Sequence, residues 1–440
     1  MAGTGVAVLS LTGAGIDRAS LLLMALAAGV VGTMLLRSRP RLALLSYLLV
    51  LCLVPVWRGV HLKIYMEPQI LWGLVLIAVL VTAGDRLSLR ITAVDGLVAA
   101  FVLVSLTPLL TGGASLSTVF VVGVQWLGAF LVGRLMGRRV DLDWCLRAVA
   151  VVFTGVAVLA VAEYLTGVNP FLSIPGAADQ YAVWGTIQER GGAFRAEGAF
   201  GHSIALGAAL AMAVPLTLAS SFRARVRVGM TLAMLAGVAV TFSRIGLVSA
   251  GLGIVLSVVV LREEMSTRTR LLLAGSVTAV GLVLLPVVTR VFAAAGNEAT
   301  DSAAYRGDLL TLVGAMRPLG ISEAFHRSPT GKVSFGRFHS IDSALILQGL
   351  TYGWLSLLLM LVLLAVAAYA VVTRRASAPT IAIVAQIPAL ATVALITQYS
   401  TMVWFVAGLA VYADAQRRPG RSPEPLLQTA APTETAPLKG

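Results

Sequence analysis

A histidine and an aspartate stand three residues apart at the end of the longest polar stretch of the chain. They are His339 and Asp342, and an apolar run from residue 344 to residue 372 follows them. If a helix begins there, residues i and i+3 share one face, so Asp342 orients the imidazole; a helix cap is the alternative role for Asp342. An imidazole accepts protons near neutral pH. We predict that His339 is a general base and Asp342 its partner.

An arginine, a glutamate and a second histidine precede another apolar run. Arg195, Glu197 and His202 lie within the segment 194–203. The N-terminus of the helix predicted after this segment attracts anions, as a guanidinium does. Arg195 is therefore a candidate anion ligand, and Glu197 and His202 are further candidates. The simpler interpretation is a loop with a local Arg–Glu pair.

Two more arginines are candidates for anion binding. Arg244 lies in a connection of almost no length between two apolar runs, where an arginine is costly unless it faces the interior or an aqueous cavity. Its planar guanidinium matches phosphate oxygens, although a side chain that reaches up to the membrane surface is the alternative. Arg306 lies in the long polar stretch, before the amphipathic segment 309–316.

The composition is that of a membrane protein. Of the 440 residues, 58% are hydrophobic and only 12% are charged, and the mean hydropathy is +0.90. A soluble domain of this length needs more polar surface. We predict an all-α polytopic bundle of about 12–13 spans, since a span needs about 20 apolar residues. The predicted spans are 19–36, 42–57, 69–83, 94–110, 117–136, 145–164, 204–219, 227–242, 245–261, 271–291, 344–372, 380–397 and 400–414.

Arginines mark every second connection between these runs. They are Arg37, Arg39, Arg41, Arg86, Arg90, Arg138, Arg139, Arg147, Arg223, Arg225, Arg227, Arg262, Arg268, Arg270, Arg374 and Arg375. Basic connections face the cytoplasm, so the loops 165–203 and 292–343 are predicted to lie outside, the second of them between the tenth and eleventh spans. The net charge of +13 is then explained by contact with anionic membrane lipids, and no nucleic acid partner is predicted.

The sequence predicts one membrane domain, without a metal or cofactor. Residues 1–414 form the transmembrane domain, and 415–440 are predicted to be a disordered cytoplasmic tail because they are polar and rich in proline. The external connection 57–68 offers only Glu67 as an acidic residue. Asp141 and Asp143 lie on the cytoplasmic side beside arginines, so we predict no metal site.

The ordered set of motifs resembles the O-antigen ligase/polymerase family of bacterial membrane glycosyltransferases. The likeness covers roughly residues 190–370. It includes Arg195 to His202 before an apolar helix, Phe242-Ser243-Arg244 before a glycine-rich helix, the long external loop, and His339 to Leu345 running on to Trp354. In the family, Pro-Asn often follows the residue equivalent to His202, where this chain has Ser203-Ile204.

The resemblance implies glycan transfer at the outer face of the bacterial cytoplasmic (inner) membrane, in cell-envelope polysaccharide biosynthesis. The donor would be a glycan linked to undecaprenyl diphosphate, and the acceptor hydroxyl would belong to a glycan, a lipid or a protein. Arg195, Arg244 and Arg306 would stabilise the diphosphate, and His339 would accept the proton of the acceptor. This reaction needs no metal. A transporter or flippase for a polar or anionic solute is the alternative from another class.

Overall fold

A computed structural model describes residues 34, 36–61, 63–82, 91–110, 115–262, 265–296, 298–328 and 333–417. The chain is all-α, as predicted, with three small β-hairpins added. The predicted span 19–36 lies almost entirely outside the described residues, and so does the predicted tail beyond Arg417. Residues 415 and 416, which we assigned to that tail, instead complete the last helix.

The apolar runs form helices because, in lipid, every backbone N–H and C=O group must be bonded within the protein. The α-helices of the described ranges are α1 (Pro40–Leu53), α2 (Pro68–Val81), α3 (Ala93–Leu106), α4 (Leu116–Arg139), α5 (Leu142–Thr166), α6 (Ala178–Trp184), α7 (Ser203–Ala219), α8 (Ala224–Val240), α9 (Arg244–Val260), α10 (Thr267–Ala294), α11 (Glu298–Leu309), α12 (Ala344–Tyr352), α13 (Trp354–Val372), α14 (Ala378–Ala385), α15 (Ile387–Thr392) and α16 (Thr397–Gln416).

The hairpins all lie in the connections between helices. Each consists of two short antiparallel strands. The pairs are β1 (Val60–His61) with β2 (Tyr65–Met66), β3 (Glu189–Arg190) with β4 (Ala193–Phe194), and β5 (Phe325–Arg327) with β6 (Val333–Phe335).

Three of the described helices are long and apolar enough to cross a membrane. By length and composition they are α4, α5 and α13, with 24, 25 and 19 residues. A fourth candidate is α10, which is bent by 44° between Val283 and Leu285. The shorter apolar helices of the described ranges have 10–17 residues, and α16, with 20 residues, belongs to neither set. These lengths and compositions indicate a membrane protein.

The predicted span 344–372 is wrong as a single helix. It is divided at Gly353, whose φ of 93° is a backbone conformation that glycine adopts readily. A Cβ atom there would lie 2.6 Å from the carbonyl oxygen of Pro318. The break therefore brings the chain of the long loop against the start of α13, where Trp354 N donates to the Arg317 carbonyl at 2.9 Å.

The predicted span 380–397 is also divided. It forms α14 and α15, which meet at Gln386, and Val393 onward is extended. Gln386 is fully buried and its Oε1 accepts a hydrogen bond from the Tyr399 hydroxyl at 3.0 Å. The next helix begins at Thr397, which has a φ of 45°. Positive φ is strained for a β-branched residue, so the surrounding packing must hold this junction.

The core is organised around the contact between α4 and α16. Gly133 lies against the backbone of Phe405, and Gly408 lies against the backbone of Phe130. In both cases a Cβ atom would collide with the facing carbonyl oxygen. Small residues allow membrane helices to approach closely, so this pair packs backbone to backbone.

The connections meet at two opposite ends of the helices, which we name the loop face and the arginine face. At the loop face, the connection 57–68 packs on the loop 165–203: Trp57 Nε1 donates to the Ile174 carbonyl at 3.0 Å. At the arginine face, Ser221 N donates to Asp143 Oδ1 at 2.7 Å, and the guanidinium of Arg147 lies 4.7 Å from the ring centre of Phe222.

The long loop folds onto α12 through a small apolar core of its own. Leu309, Leu312, Phe335, Phe338, Ile341 and Leu350 are buried together. The described residues of the loop therefore form part of the loop face, with α11, a short turn of 3-10 helix (Leu310–Ala315) and the strands β5 and β6.

Candidate functional site

A tight hairpin directs two arginines toward the turn between α8 and α9. The β3–β4 hairpin turns at Gly191 and Gly192, which have φ values of 54° and 73°. Two successive residues with positive φ fit the twist of a two-residue hairpin, and glycine permits this at little cost. Arg190 ends β3 and Arg195 follows β4, so both side chains reach the residues that follow α8.

Arg195 is held by the protein itself. Its side chain is only 6% exposed, and its Nε donates to the Thr241 carbonyl at 2.9 Å. The backbone is fixed on both sides, because Arg195 N donates to Gln188 O at 3.1 Å and Ala196 N donates to Val240 O at 3.1 Å. The carbonyls at the C-terminus of a helix lack partners within that helix, and Arg195 supplies one. The predicted diphosphate ligand is thus also a structural link.

Arg190 was missed in the sequence analysis. Its Nη1 donates to the Phe242 carbonyl at 2.6 Å, and its guanidinium lies 5.9 Å from the ring centre of Phe292. Phe242 has a φ of 46°, which is unusual for a bulky residue and turns the chain sharply into α9. Arg190 and Arg195 together bind two consecutive carbonyls of this strained turn. The only sequence signal for Arg190 was its place in the loop 165–203, which also carries the predicted anion ligand Arg195.

Arg244 is different from these two arginines. It is the first residue of α9, whose N-terminus is capped by Ser243 Oγ, which accepts from Gly246 N at 3.1 Å. The side chain is half-buried, and its guanidinium carbon lies 4.7 Å from the ring centre of Phe292. This cation–π contact positions the group without using its N–H donors. Within the described residues, the Arg244 side chain has no hydrogen bond or ion pair, so its N–H donors are available to an anion.

Glu197 and Glu163 fix the backbone of this segment. Glu163 accepts hydrogen bonds from Glu197 N at 3.0 Å and from Gly198 N at 2.9 Å. Glu197 is 1% exposed, and its Oε1 accepts from Gln188 N at 2.9 Å. Burial, opposed by the Gln188 hydrogen bond and reinforced by the charge of Glu163, raises the pKa of Glu197 to about 7. Glu197 therefore titrates near neutral pH.

His202 caps a helix. Its Nδ1 accepts from Ile204 N at 3.2 Å at the start of α7, and Trp184 lies edge-on to its ring at 6.3 Å. Burial, and then the positive charge of Arg195, lower the pKa of His202 to about 4. The imidazole is neutral at pH 7, and we assign its proton to Nε2 because Nδ1 is the acceptor. This arrangement provides a structural reason for the histidine.

Arg306 and His339 belong to a second group of contacts, built on α11. Arg306 is half-buried, and its Nε donates to the Thr392 carbonyl at the end of α15, at 3.3 Å. The neighbouring Tyr305 donates its hydroxyl proton to the Ser340 carbonyl, and its ring packs edge-on to Phe338 at 5.5 Å. Residues on both sides of His339 are therefore held by the helix that carries Arg306.

The predicted helical pairing of His339 with Asp342 is wrong. The helix α12 begins only at Ala344, and its cap is Ser343, whose Oγ accepts from Ile346 N at 3.2 Å. His339 and Asp342 precede it in irregular chain, and both are exposed. Asp342 Oδ1 accepts from Ser340 Oγ at 2.9 Å, so it neither caps α12 nor bonds His339. The imidazole has no hydrogen bond to another described residue.

The residues around Arg244 and the residues around Arg306 are connected through the packed pair α9 and α15. Arg244 begins α9 and Thr392 ends α15, and these helices contact each other. Gly253 packs beside Ala385, so the middle of α9 lies against the end of α14. The two segments are antiparallel, and the start of α9 and the end of α15 both lie at the loop face. An anion that contacts Arg244 therefore binds on the face that also carries Arg306 and His339.

No family model, no curated protein and no solved structure matches the chain. The candidate function is therefore inferred from the geometry of these residues. It offers an available guanidinium, a second half-buried arginine and an exposed imidazole. Within the described residues, no three His, Cys, Asp or Glu side chains are grouped closely enough to hold a metal ion.

Glu197 makes the stability of the protein depend on pH. Its pKa is near 4.5 when unfolded and about 7 when folded, so the folded state binds its proton more tightly. The free energy of unfolding must then fall as pH rises from about 4.5 to 7, by at most about 3 kcal/mol. We expect the melting temperature of Glu197→Gln, relative to wild type, to increase from pH 5 to pH 8 in detergent.

The control for this prediction is Glu323→Gln, which changes an exposed glutamate on the same face. Its melting temperature should follow wild type at both pH values. If the melting temperature of Glu197→Gln differs from that of wild type by the same amount at pH 5 and pH 8, Glu197 does not titrate in this range.

Proposed function

We propose that this protein transfers glycan from an undecaprenyl-diphosphate-linked donor to an acceptor hydroxyl, as a metal-independent membrane glycosyltransferase of the O-antigen ligase/polymerase type. The supporting observation is the state of Arg244. Its guanidinium is half-buried, is positioned by Phe292 and has no hydrogen-bond partner among the described residues. A group held in this way is suited to bind the oxygens of a diphosphate bidentately.

The reaction needs two functions that these residues can supply. The departing diphosphate gains negative charge, which Arg244 and Arg306 would stabilise; Arg195 would keep the turn before Arg244 in place and add a positive charge nearby. The attacking hydroxyl loses a proton as its oxygen bonds to the anomeric carbon of the donor sugar. His339, exposed on the same face, would accept that proton.

This proposal includes a topology. We infer about 12–13 crossings of the bacterial cytoplasmic membrane. The apolar helices of 10–17 residues would need flanking residues or neighbouring helices to complete a crossing. The loop face would be outside, because the arginine-rich connections gather at the opposite face. A glycan, lipid or protein acceptor would approach from outside.

The alternative is a transporter or flippase for a polar or anionic solute. A transporter binds its substrate near the middle of the membrane, where polar residues from several helices must meet. Gln125 and Glu163, which lie within predicted spans, are the candidates for such residues. Gln125 donates to Ser400 Oγ at 2.8 Å, whereas Glu163 lies one turn from the end of α5 and holds backbone groups of the loop face. The position of Glu163 favours the enzyme.

The direct test is a transfer assay with purified protein. Synthetic undecaprenyl-diphosphate-linked oligosaccharide is incubated with the protein and an acceptor mixture, in buffer with EDTA. Formation of an extended or transferred glycan together with free undecaprenyl diphosphate is the expected result. Uptake of the intact solute into proteoliposomes, without cleavage, would instead favour the transporter.

The orientation can be tested by cysteine labelling of whole cells. The native Cys52 and Cys145 are buried. We expect a membrane-impermeant maleimide to label Ala182→Cys and Arg337→Cys, which are exposed on the loop face, but not Thr267→Cys, which is exposed at the start of α10. Permeabilised cells should label all three. Labelling of Thr267→Cys alone in intact cells would reverse the topology and refute the proposed site.

A further inference from the structure

A long groove runs along α13 on the side that faces α14 and α16. Its volume is about 850 Å³. Most of its wall is apolar, with Met360, Leu364 and Ala367 from α13 and Val403, Ala407 and Val411 from α16. Since α13 is apolar enough to cross the membrane, these walls meet hydrocarbon chains.

Among the described residues that line the groove, the polar ones lie at one end, on the arginine face. Arg374 and Arg375 line this end, both are exposed, and neither has a side-chain hydrogen bond or ion pair to another described residue. Tyr369, which is 66% exposed, lines the groove one turn before them. An aromatic ring beside basic residues is typical of the level of lipid headgroups.

Asp414 and Arg417, the other charged residues of the described lining, make hydrogen bonds within the protein. Asp414 accepts from Ser377 N at 2.8 Å and from Thr380 Oγ1 at 2.7 Å, so its carboxylate is directed to the start of α14. Arg417 Nη1 donates to the Ala376 carbonyl at 3.1 Å. Of the described residues that line the groove, Arg374 and Arg375 are therefore the charged side chains that a ligand can contact.

The geometry points to a binding site for one anionic phospholipid, with its phosphate on Arg374 and Arg375 and its acyl chains along the groove. Guanidinium groups match the phosphodiester oxygens, and the apolar walls match the chains. A free phosphate leaves these walls uncovered. The diphosphate of the proposed glycan donor belongs at the loop face, so this site is independent of the proposed function.

The experiment is native mass spectrometry of the full-length protein, purified in detergent with phosphatidylglycerol and phosphatidylcholine at a ratio of about 1:4. Wild type should retain phosphatidylglycerol preferentially. The double variant Arg374→Gln/Arg375→Gln should bind it about 10- to 30-fold more weakly, as expected for two basic residues at the membrane surface. Ala367→Trp, which fills the groove, should also displace it, and inorganic phosphate should not compete.

The matched control is Arg223→Gln/Arg225→Gln, which removes two exposed arginines from another connection on the arginine face. It should retain phosphatidylglycerol as wild type does. An equal loss of phosphatidylglycerol in both double variants would show that basic residues attract anionic lipid anywhere on this face, and would overturn the proposed site. Competition by inorganic phosphate, with no effect of Ala367→Trp, would show a phosphate site and refute the lipid.

Discussion

Replacing His339 with alanine should reduce glycan transfer by about 10²–10⁴-fold, which is the range typical for loss of a general base. The imidazole is exposed and has no hydrogen bond to another described residue, so its removal costs the fold little. The melting temperature and the affinity for the lipid-linked donor should therefore stay near wild type. The measurements are single-turnover transfer and donor binding on the same preparations.

His326→Ala is the matched control, because it removes another exposed histidine from the same loop. It should transfer at the wild-type rate. Asp342→Asn should have a smaller effect than His339→Ala, since Asp342 bonds Ser340 and does not orient the imidazole. Wild-type transfer by His339→Ala, with normal donor binding, would exclude His339 as the base.

Replacing Arg244 with alanine should weaken binding of the donor by about 10- to 100-fold, because one or two charge-assisted hydrogen bonds to the diphosphate are lost. Arg244→Lys should recover only part of this affinity, since an ammonium lacks the planar pair of donors. Binding of undecaprenyl diphosphate itself, without a glycan, should show the same loss. The measurement is equilibrium binding of a fluorescent donor analogue.

Two controls separate this role from a structural one. Arg195→Lys breaks the link to Thr241 and should lower the melting temperature as well as activity, whereas Arg244→Ala should leave the melting temperature unchanged. Phe292→Leu keeps an apolar side chain but removes the ring under the guanidinium, and should weaken donor binding less than Arg244→Ala. Unchanged donor affinity in both Arg244 variants would contradict the proposed diphosphate site.

Apolar runs predicted the helical class and the long helices well. The runs 117–136 and 145–164 correspond to α4 and α5, each extended by a few residues that the hydropathy of the run does not include. The run 344–372 was predicted as one helix because its residues are nearly all apolar, with Gln348 as the main interruption. Its division at Gly353 depends on the approach of Pro318, a contact between distant segments that no local pattern reveals.

Part of the candidate site could be predicted because an arginine near the membrane is costly unless it faces the protein interior or an aqueous cavity. Arg195 and Arg244 were selected for their charge and position, and they lie at the same turn between α8 and α9. Arg195 binds a free carbonyl at the end of α8, whereas Arg244 does not. Which carbonyls are free at this turn depends on the strained backbone of Phe242. Arg190 was missed for the same reason. The roles of individual arginines therefore required the three-dimensional contacts.

The division of the chain at Gly353 makes the long loop and α12 one cooperative unit. The nine residues of α12 are too few to cross a bilayer, and its last carbonyls accept hydrogen bonds from the loop, Leu350 from Ser322 N and Tyr352 from Gly320 N. The unit should therefore open as a whole, while the contact between α4 and α16 stays closed. Hydrogen exchange of Ser322 N and Gly320 N at one common rate would reveal this motion. Since the unit carries His339, its opening would move the proposed base relative to Arg244.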